Sequence, residues 1–132
     1  MKKGSVIVPG SYDPPTLGHA ELIRRAAEKY GAVHAVLFIN PEKTYTFSVA
    51  DRVKMLSLAT EGIPNVSVDA SDGFVVDYMR EKGIEKIVKG YRTEADLVWE
   101  KEQADWNWEH GRYETELWKC SEGLEDVSST AV

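Results

Sequence analysis

SVIVPGSYDPPTLGHAELIRRAAEKYG, from Ser5 to Gly31, contains a strand, a loop and a helix in 27 residues. Ser5 to Val8 is a short apolar run rich in Val and Ile, which reads as a buried strand. Pro9 to His19 is rich in Gly, Pro and polar residues and reads as a loop. Leu22, Ile23, Ala26, Ala27 and Tyr30 then fall on one face at helical spacing, and Gly31 stands where a C-terminal cap would. A strand that feeds a helix through a short loop is the first half of a βαβ unit, whose second strand lies parallel to the first.

Further along, the same alternation recurs. Val33 to Ile39, Asn65 to Asp69 and Glu85 to Lys89 read as strands, and Glu114 to Cys120 reads as a weaker fifth because charges interrupt it. Ser48-Val-Ala-Asp51 has the form of a capping box that opens a second helix, with Val49, Val53, Leu56 and Thr60 or Ala59 facing inward. Ser71 and Asp72 precede a third helix, from Gly73 to Lys82, and Gly83 closes it. The fourth helix spans Thr93 to Trp108. The expected fold is therefore α/β: a doubly wound, Rossmann-like, five-stranded parallel sheet with helices on both faces. Ligands in such sheets sit beyond the carboxyl ends of the strands.

Composition narrows the function classes. The chain has 132 residues, 42% of them hydrophobic, which suits one domain with a single core. Its net charge of -6 argues against a nucleic-acid binder, and no apolar run is long enough to span a bilayer, so we expect a cytoplasmic protein. Cys120 is the only cysteine and the three histidines have no zinc spacing, so no resident metal site is expected. His34, His110 and Cys120 read as structural. Trp99, Trp106, Trp108 and Trp118 lack interleaved basic residues and read as core or subunit packing rather than a base-stacking platform.

The chemistry gathers where the topology places it. In Pro9-Gly10-Ser11-Tyr12-Asp13-Pro14-Pro15-Thr16-Leu17-Gly18-His19, Gly10 allows close backbone approach and Asp13-Pro14-Pro15 makes a rigid bend. Gly18 and His19 stand at a helix N-terminus, whose amides and dipole attract anions. This is neither a GxGxxG fingerprint nor a P-loop. His19 there reads as a phosphate-site residue able to supply positive charge. Lys43, Lys89 and Arg92 follow strand ends, where solvated surface charges become candidates for the same anion; Arg92 can form a bidentate clamp on a triphosphate.

Pro-Gly-Ser-Tyr-Asp-Pro-x-Thr-x-Gly-His resembles the signature of nucleotidyltransferases that couple a nucleoside triphosphate to a phosphorylated acceptor. Asn40-Pro41-Glu42-Lys43, Lys89-Gly90-Tyr91-Arg92-Thr-Glu-Ala-Asp96 and the spacing of Glu100, Gln103 and Asn107 are similar to the phosphopantetheine adenylyltransferase family. That resemblance implies transfer of AMP from Mg-ATP to 4'-phosphopantetheine, giving dephospho-coenzyme A and pyrophosphate, with coenzyme A as a further ligand. It implies catalytic roles for His19, Lys43 and Arg92. Ser11 and Tyr12 would offer backbone and hydroxyl contacts to nucleotide and acceptor. Val75, Lys89 and Asn107 join Ser11 and Lys43 on the acceptor side, and Val75 has an equal claim as a core residue. Gly90, Tyr91, Arg92 and Glu100 would contact nucleotide, as would Ser128, Ser129 and Thr130 near the end. Lys89 stands where the family usually has arginine. The resemblance further implies a homohexamer, Mg2+ carried with ATP, and a single domain over residues 1–132 that ends before the family's C-terminal helix. Two alternatives remain: a transferase for another phosphorylated acceptor, or a silent nucleotide or coenzyme A binding protein.

Overall fold

The structure, a computed structural model, describes residues 3–40 and 44–119. Lys43, Cys120, Ser128, Ser129 and Thr130 lie outside the described residues. Nine elements follow in order: β1 (Lys3–Gly10), α1 (Leu17–Lys29), β2 (Tyr30–Phe38), α2 (Val49–Ala59), β3 (Val66–Ser71), α3 (Val75–Lys82), β4 (Lys86–Tyr91), α4 (Glu94–Gly111) and β5 (Glu114–Lys119). The strands form one parallel sheet in the order β3-β2-β1-β4-β5. This is the expected doubly wound architecture, with its direction of winding reversed between β1 and β4.

Strand periodicity divides the core in two. Val6 and Val8 of β1, Val33, Ala35 and Leu37 of β2, and Val88 of β4 face α1 and α2, where Leu22, Ile23, Ala26, Ala27 and Leu56 are buried against them. Ile7, Val36 and Ile87, one step out of phase, pack on the other face with Tyr78, Met79 and Ile84. α3 covers this second face and α4 packs against it, β4 and β5.

Several local expectations are corrected. Gly31 does not cap α1: Tyr30 is extended (φ -114, ψ 156) and already belongs to β2, so helix passes into strand without a left-handed turn. Ser71 ends β3, and Phe74 is the N-cap of α3 without a side-chain bond. Ser48 does cap α2, accepting from the Asp51 N–H at 3.1 Å. Of the pair Ala59 and Thr60, Thr60 is the buried one. Trp99 and Trp108 are 60% and 50% exposed, which removes the core reading for them, whereas Trp118 packs on the first core cluster beneath Arg25 and Lys29.

The charged strand β5 forms because its charge is neutralised in place. Glu116 accepts from Lys29 (3.0 Å), Lys86 (3.0 Å), the Trp118 indole (2.9 Å) and the Tyr30 hydroxyl. Burial would raise its carboxyl, but these hydrogen bonds win and hold it down at about 2. A carboxylate so engaged can sit in a strand at little cost.

Candidate active site

The loop between β1 and α1 holds its histidine through a helix cap. Thr16 is the N-cap of α1: its hydroxyl accepts from the His19 N–H at 3.2 Å, and its own N–H donates to His19 Nδ1 at 2.9 Å. This is a capping box with imidazole in the place usually taken by Glu or Gln. Because Nδ1 accepts, the proton of the neutral ring is on Nε2. The Tyr12 ring meets the imidazole edge-on, with centroids 4.9 Å apart. Tyr12 is buried at φ 49, and a Cβ on Gly10 would come within 3.3 Å of its ring, so the position beside it favours glycine.

Two expectations change here. Tyr12 donates its hydroxyl to the Val8 carbonyl at 2.7 Å, and burial pushes its pKa well up, so the hydroxyl braces the loop. Burial, followed by the charges of Lys89 and Arg92, lowers His19 to about 4. In the free chain at neutral pH His19 is thus a neutral Nε2–H donor rather than the fixed positive charge expected from sequence. An arriving anion would raise it again.

Lys89 and Arg92 act on His19 because all three meet at one place. They line a cavity of about 390 Å³ at the carboxyl ends of β1 and β4, together with Ser11, Tyr12, Gly90, Tyr91 and Glu100. Lys89 donates to the Pro9 carbonyl at 3.3 Å and pairs with Glu100 at 3.3 Å. Glu100 is the buried residue of α4, and this pair links that helix to β1 and β4. Arg92 precedes the N-cap of α4; Asp96 accepts from the N–H groups of Arg92 (3.4 Å) and Thr93 (3.3 Å), closing a second capping box. A helix N-terminus therefore faces the cavity from each side, each a natural anion site.

A second cavity of about 500 Å³ adjoins the first, sharing Pro9, Gly10, Lys89, Trp99 and Glu100. Its walls are largely apolar, from Phe38, Phe74, Ile87 and Trp106, with Gln103 and Asn107 as polar points. Val75 lines it and also packs against the second core cluster, so the two readings of that residue are both realised.

Sequence reasoning missed Arg52 and the carboxylate of Asp13. Arg52 is 1% exposed and donates to the carbonyls of Phe47 (3.0 Å) and Ser11 (2.9 Å). Asp13 accepts from the N–H groups of Thr46 (2.6 Å) and Phe47 (2.8 Å). One signal was present: Arg52 falls among Val49, Val53 and Leu56 on the inward face of α2, where a charge needs a reason.

The cytidylyltransferase-like family matches residues 7–132. The chain is 44% identical over 100 residues to a phosphopantetheine adenylyltransferase of Natranaerobius thermophilus, covering 76% of this chain and 62% of that protein. It is 47% identical over 94 residues to one of Symbiobacterium thermophilum, covering 71% and 58%, and 41% identical over 101 residues to one of Clostridium novyi, covering 76% and 63%. The chain thus spans about three fifths of the length of these curated relatives. A solved structure, the lipopolysaccharide core biosynthesis protein of Thermoplasma volcanium, superposes with a TM-score of 0.61 at 17% identity over 89% of this chain and 95% of that one, a likeness of fold.

Proposed function

The chain belongs to the cytidylyltransferase-like family, and from that premise we infer that it transfers the adenylyl group of ATP to 4'-phosphopantetheine, forming dephospho-coenzyme A and pyrophosphate. The observation that carries this reading is the meeting of His19, Lys89 and Arg92 in one cavity that opens sideways into an apolar slot. The triphosphate suits the polar cavity between the two helix N-termini. The slot beside Val75 and Asn107 suits a long uncharged arm ending in a phosphate.

The reaction joins an acceptor phosphate oxygen to the α-phosphorus and breaks its bond to the β-phosphate bridging oxygen, which leaves on pyrophosphate. No covalent enzyme intermediate is needed, so catalysis is positioning and charge stabilisation. His19 Nε2–H donates to a non-bridging α-phosphate oxygen, and Arg92 clamps the departing phosphates. Ser11, the Tyr12 backbone, Gly90, Tyr91 and Glu100 surround the nucleotide. Lys89 neutralises the acceptor phosphate; the matching roles of Lys43 at that phosphate and of Ser128, Ser129 and Thr130 at the ATP phosphates rest on the family resemblance, since these four lie outside the described residues.

Mg2+ arrives as Mg-ATP. Of the acidic groups lining the cavity, Asp13 and Asp96 accept backbone N–H groups and Glu100 pairs with Lys89. Held through the nucleotide, the ion would neutralise charge on the departing phosphates beside Arg92. Among the described residues no helix is long and apolar enough to cross a membrane, and we place the reaction in the cytoplasm on the family resemblance. We propose a homohexamer from the family resemblance; Val98 and Trp108, exposed on α4, are apolar side chains that a subunit contact would cover.

The test is pyrophosphate release from Mg-ATP with 4'-phosphopantetheine, run beside nicotinamide mononucleotide and glycerol 3-phosphate. Release with 4'-phosphopantetheine alone is expected. Release with another acceptor only would reassign the substrate, and tight coenzyme A binding without any release would make the chain a binding module.

A further inference from the structure

Arg52 is a cation in the core whose partners are carbonyls and an aromatic face. Its Nε donates to Phe47 (3.0 Å) and Ser48 (3.4 Å), its Nη1 donates to Ser11 (2.9 Å), and the guanidinium lies 4.1 Å from the centre of the Tyr45 ring. Among the described residues no carboxylate forms an ion pair with it. Burying such a charge is costly, and an aliphatic side chain like those of Val53 and Leu56 would fill the same helix face without that cost. What an aliphatic residue could not do is bridge two separate loops.

Asp13 completes the bridge from the opposite direction. Its carboxylate takes the N–H groups of Thr46 and Phe47, while Arg52 takes the Phe47 carbonyl. The Phe47 residue is thus gripped at both its N–H and its C=O. Through the Ser11 carbonyl the same guanidinium reaches the loop that carries His19. Tyr45 in turn accepts from the Asn40 N–H at 2.8 Å, which ties this bracket to the end of β2.

We propose that Arg52, acting with Asp13, is a positioning residue for the transfer reaction: the pair registers the 44–48 segment against the Ser11 loop, and so registers the acceptor phosphate against the α-phosphorus. The inference rests on the adenylyl-transfer reading, in which Lys43, joined directly to Thr44, meets the acceptor phosphate. A shift of about 1 Å in reacting groups costs on the order of a hundredfold in rate. Neither side chain needs to touch substrate for that effect.

The experiment measures kcat and the KM for 4'-phosphopantetheine, the ATP Kd by calorimetry, and the thermal midpoint of wild type, D13N, R52K and D13N/R52K. Lysine keeps the charge but loses the fork that spans the two loops. Each single variant is expected to lose roughly tenfold to a hundredfold in kcat/KM for the acceptor while ATP affinity changes by less than about threefold. The double variant should lose no more than the worse single, since both grip one residue, Phe47, from its two sides. Losses that multiply, or ATP affinity and acceptor kinetics falling together with the thermal midpoint, would mark a merely structural role and overturn the inference. Should R52K fail to fold, D13N decides: unchanged acceptor kinetics in that loop variant overturn it. A wild-type chain that releases no pyrophosphate removes the adenylyl-transfer reading and this inference with it, whereas an active wild type with indifferent variants removes the inference alone.

Discussion

His19 owes its chemistry to a cap. With Nδ1 engaged by the Thr16 N–H, the ring presents Nε2–H to the cavity, and burial with Lys89 and Arg92 nearby holds it near 4. Two outcomes follow from that. Replacing it, as in His19→Ala, should lower kcat by about a hundredfold to a thousandfold, the range for losing one preorganised donor, as read by pyrophosphate release. And kcat/KM, which reports the free enzyme, should show no His19 inflection between pH 6 and 8, because the group has already lost its proton there. Were imidazolium the working form, kcat/KM would climb as pH falls toward 4.

Stability should carry the same signature. The unfolded chain protonates His19 near 6.5 and the folded chain only near 4, so between those values the unfolded state binds more protons. The contribution is complete above pH 6.5 and is lost as pH falls to 4. Its size is at most on the order of 3 kcal/mol, less because one edge of the ring meets cavity water. Urea unfolding from pH 7 to 4 should show a steeper limb in wild type than in His19→Ala, which keeps the share of His34, also lowered by burial. Equal limbs in the two would mean that the His19 ring is not desolvated.

At this scale the motif residues were legible because chain position told on them: Ser11 and Arg92 follow β1 and β4, His19 stands in the first turn of α1 and Lys89 lies in the carboxyl half of β4, and the fold rule sends strand ends to the ligand. Arg52 and Asp13 were not, because they speak to backbone groups of Ser11, Thr46 and Phe47, and sequence does not display which backbone groups meet. The protonation of His19 was misjudged for a related reason. It depends first on the burial of the ring and then on Lys89 and Arg92 lying beside it, and a side-chain pattern does not display either.

Elements show how propensity and packing trade places. Apolar spacing in α1 was sufficient, since Leu22, Ile23, Ala26 and Ala27 are its buried residues. In α4 apolar spacing was uninformative: Glu100 is the buried residue, and the helix is set by its Thr93 cap and the Lys89 pair instead. β5 looked weak because charge interrupts it, yet Glu116 is what fastens it, reaching Lys29 in α1, Tyr30 in β2 and Lys86 in β4. Glu116→Gln should therefore destabilise by about 1–3 kcal/mol in thermal or urea unfolding, since it leaves charged donors with a weaker acceptor. Glu114→Gln, at an exposed neighbouring position, should stay within about 0.5 kcal/mol. The acid limbs of Glu116 and His19 overlap only between pH 4.5 and 4: Glu116 stabilises fully above its unfolded value of 4.5 and loses that as pH falls through about 2, whereas His19 has lost its share by about 4. Equal effects of the two glutamine variants would show that β5 is held by its backbone ladder alone.

For the molecule as a whole, the sheet is seamed where it binds. β1 is in register with β2 from Lys3 to Gly10, but with β4 at Val6 and Ile7, opposite Lys86 and Ile87. Beyond Ile7 the two strands part, and both cavities lie in that opening. The β4–α4–β5 side is then joined to the rest by a short ladder, the Lys89–Pro9 bond and the Glu116 network. A ligand spanning the opening would contact His19 and Ser11 on one side and Gly90, Tyr91 and Arg92 on the other, and so act as a removable cross-link. Binding to the native state alone stabilises by about 2.7 kcal/mol at a hundredfold excess over Kd. That stabilisation should be distributed unevenly. Hydrogen exchange with saturating Mg-ATP should slow most at the amides of Lys89 to Asp96 and of Ser11 to His19, which flank the seam, and least in β3, whose ladder with β2 runs from Val66 to Ser71 at the far edge of the sheet. Uniform protection across the sheet would mean that the two sides already open together in the free protein, and protection confined to the Ser11 loop would mean that the nucleotide never reaches β4.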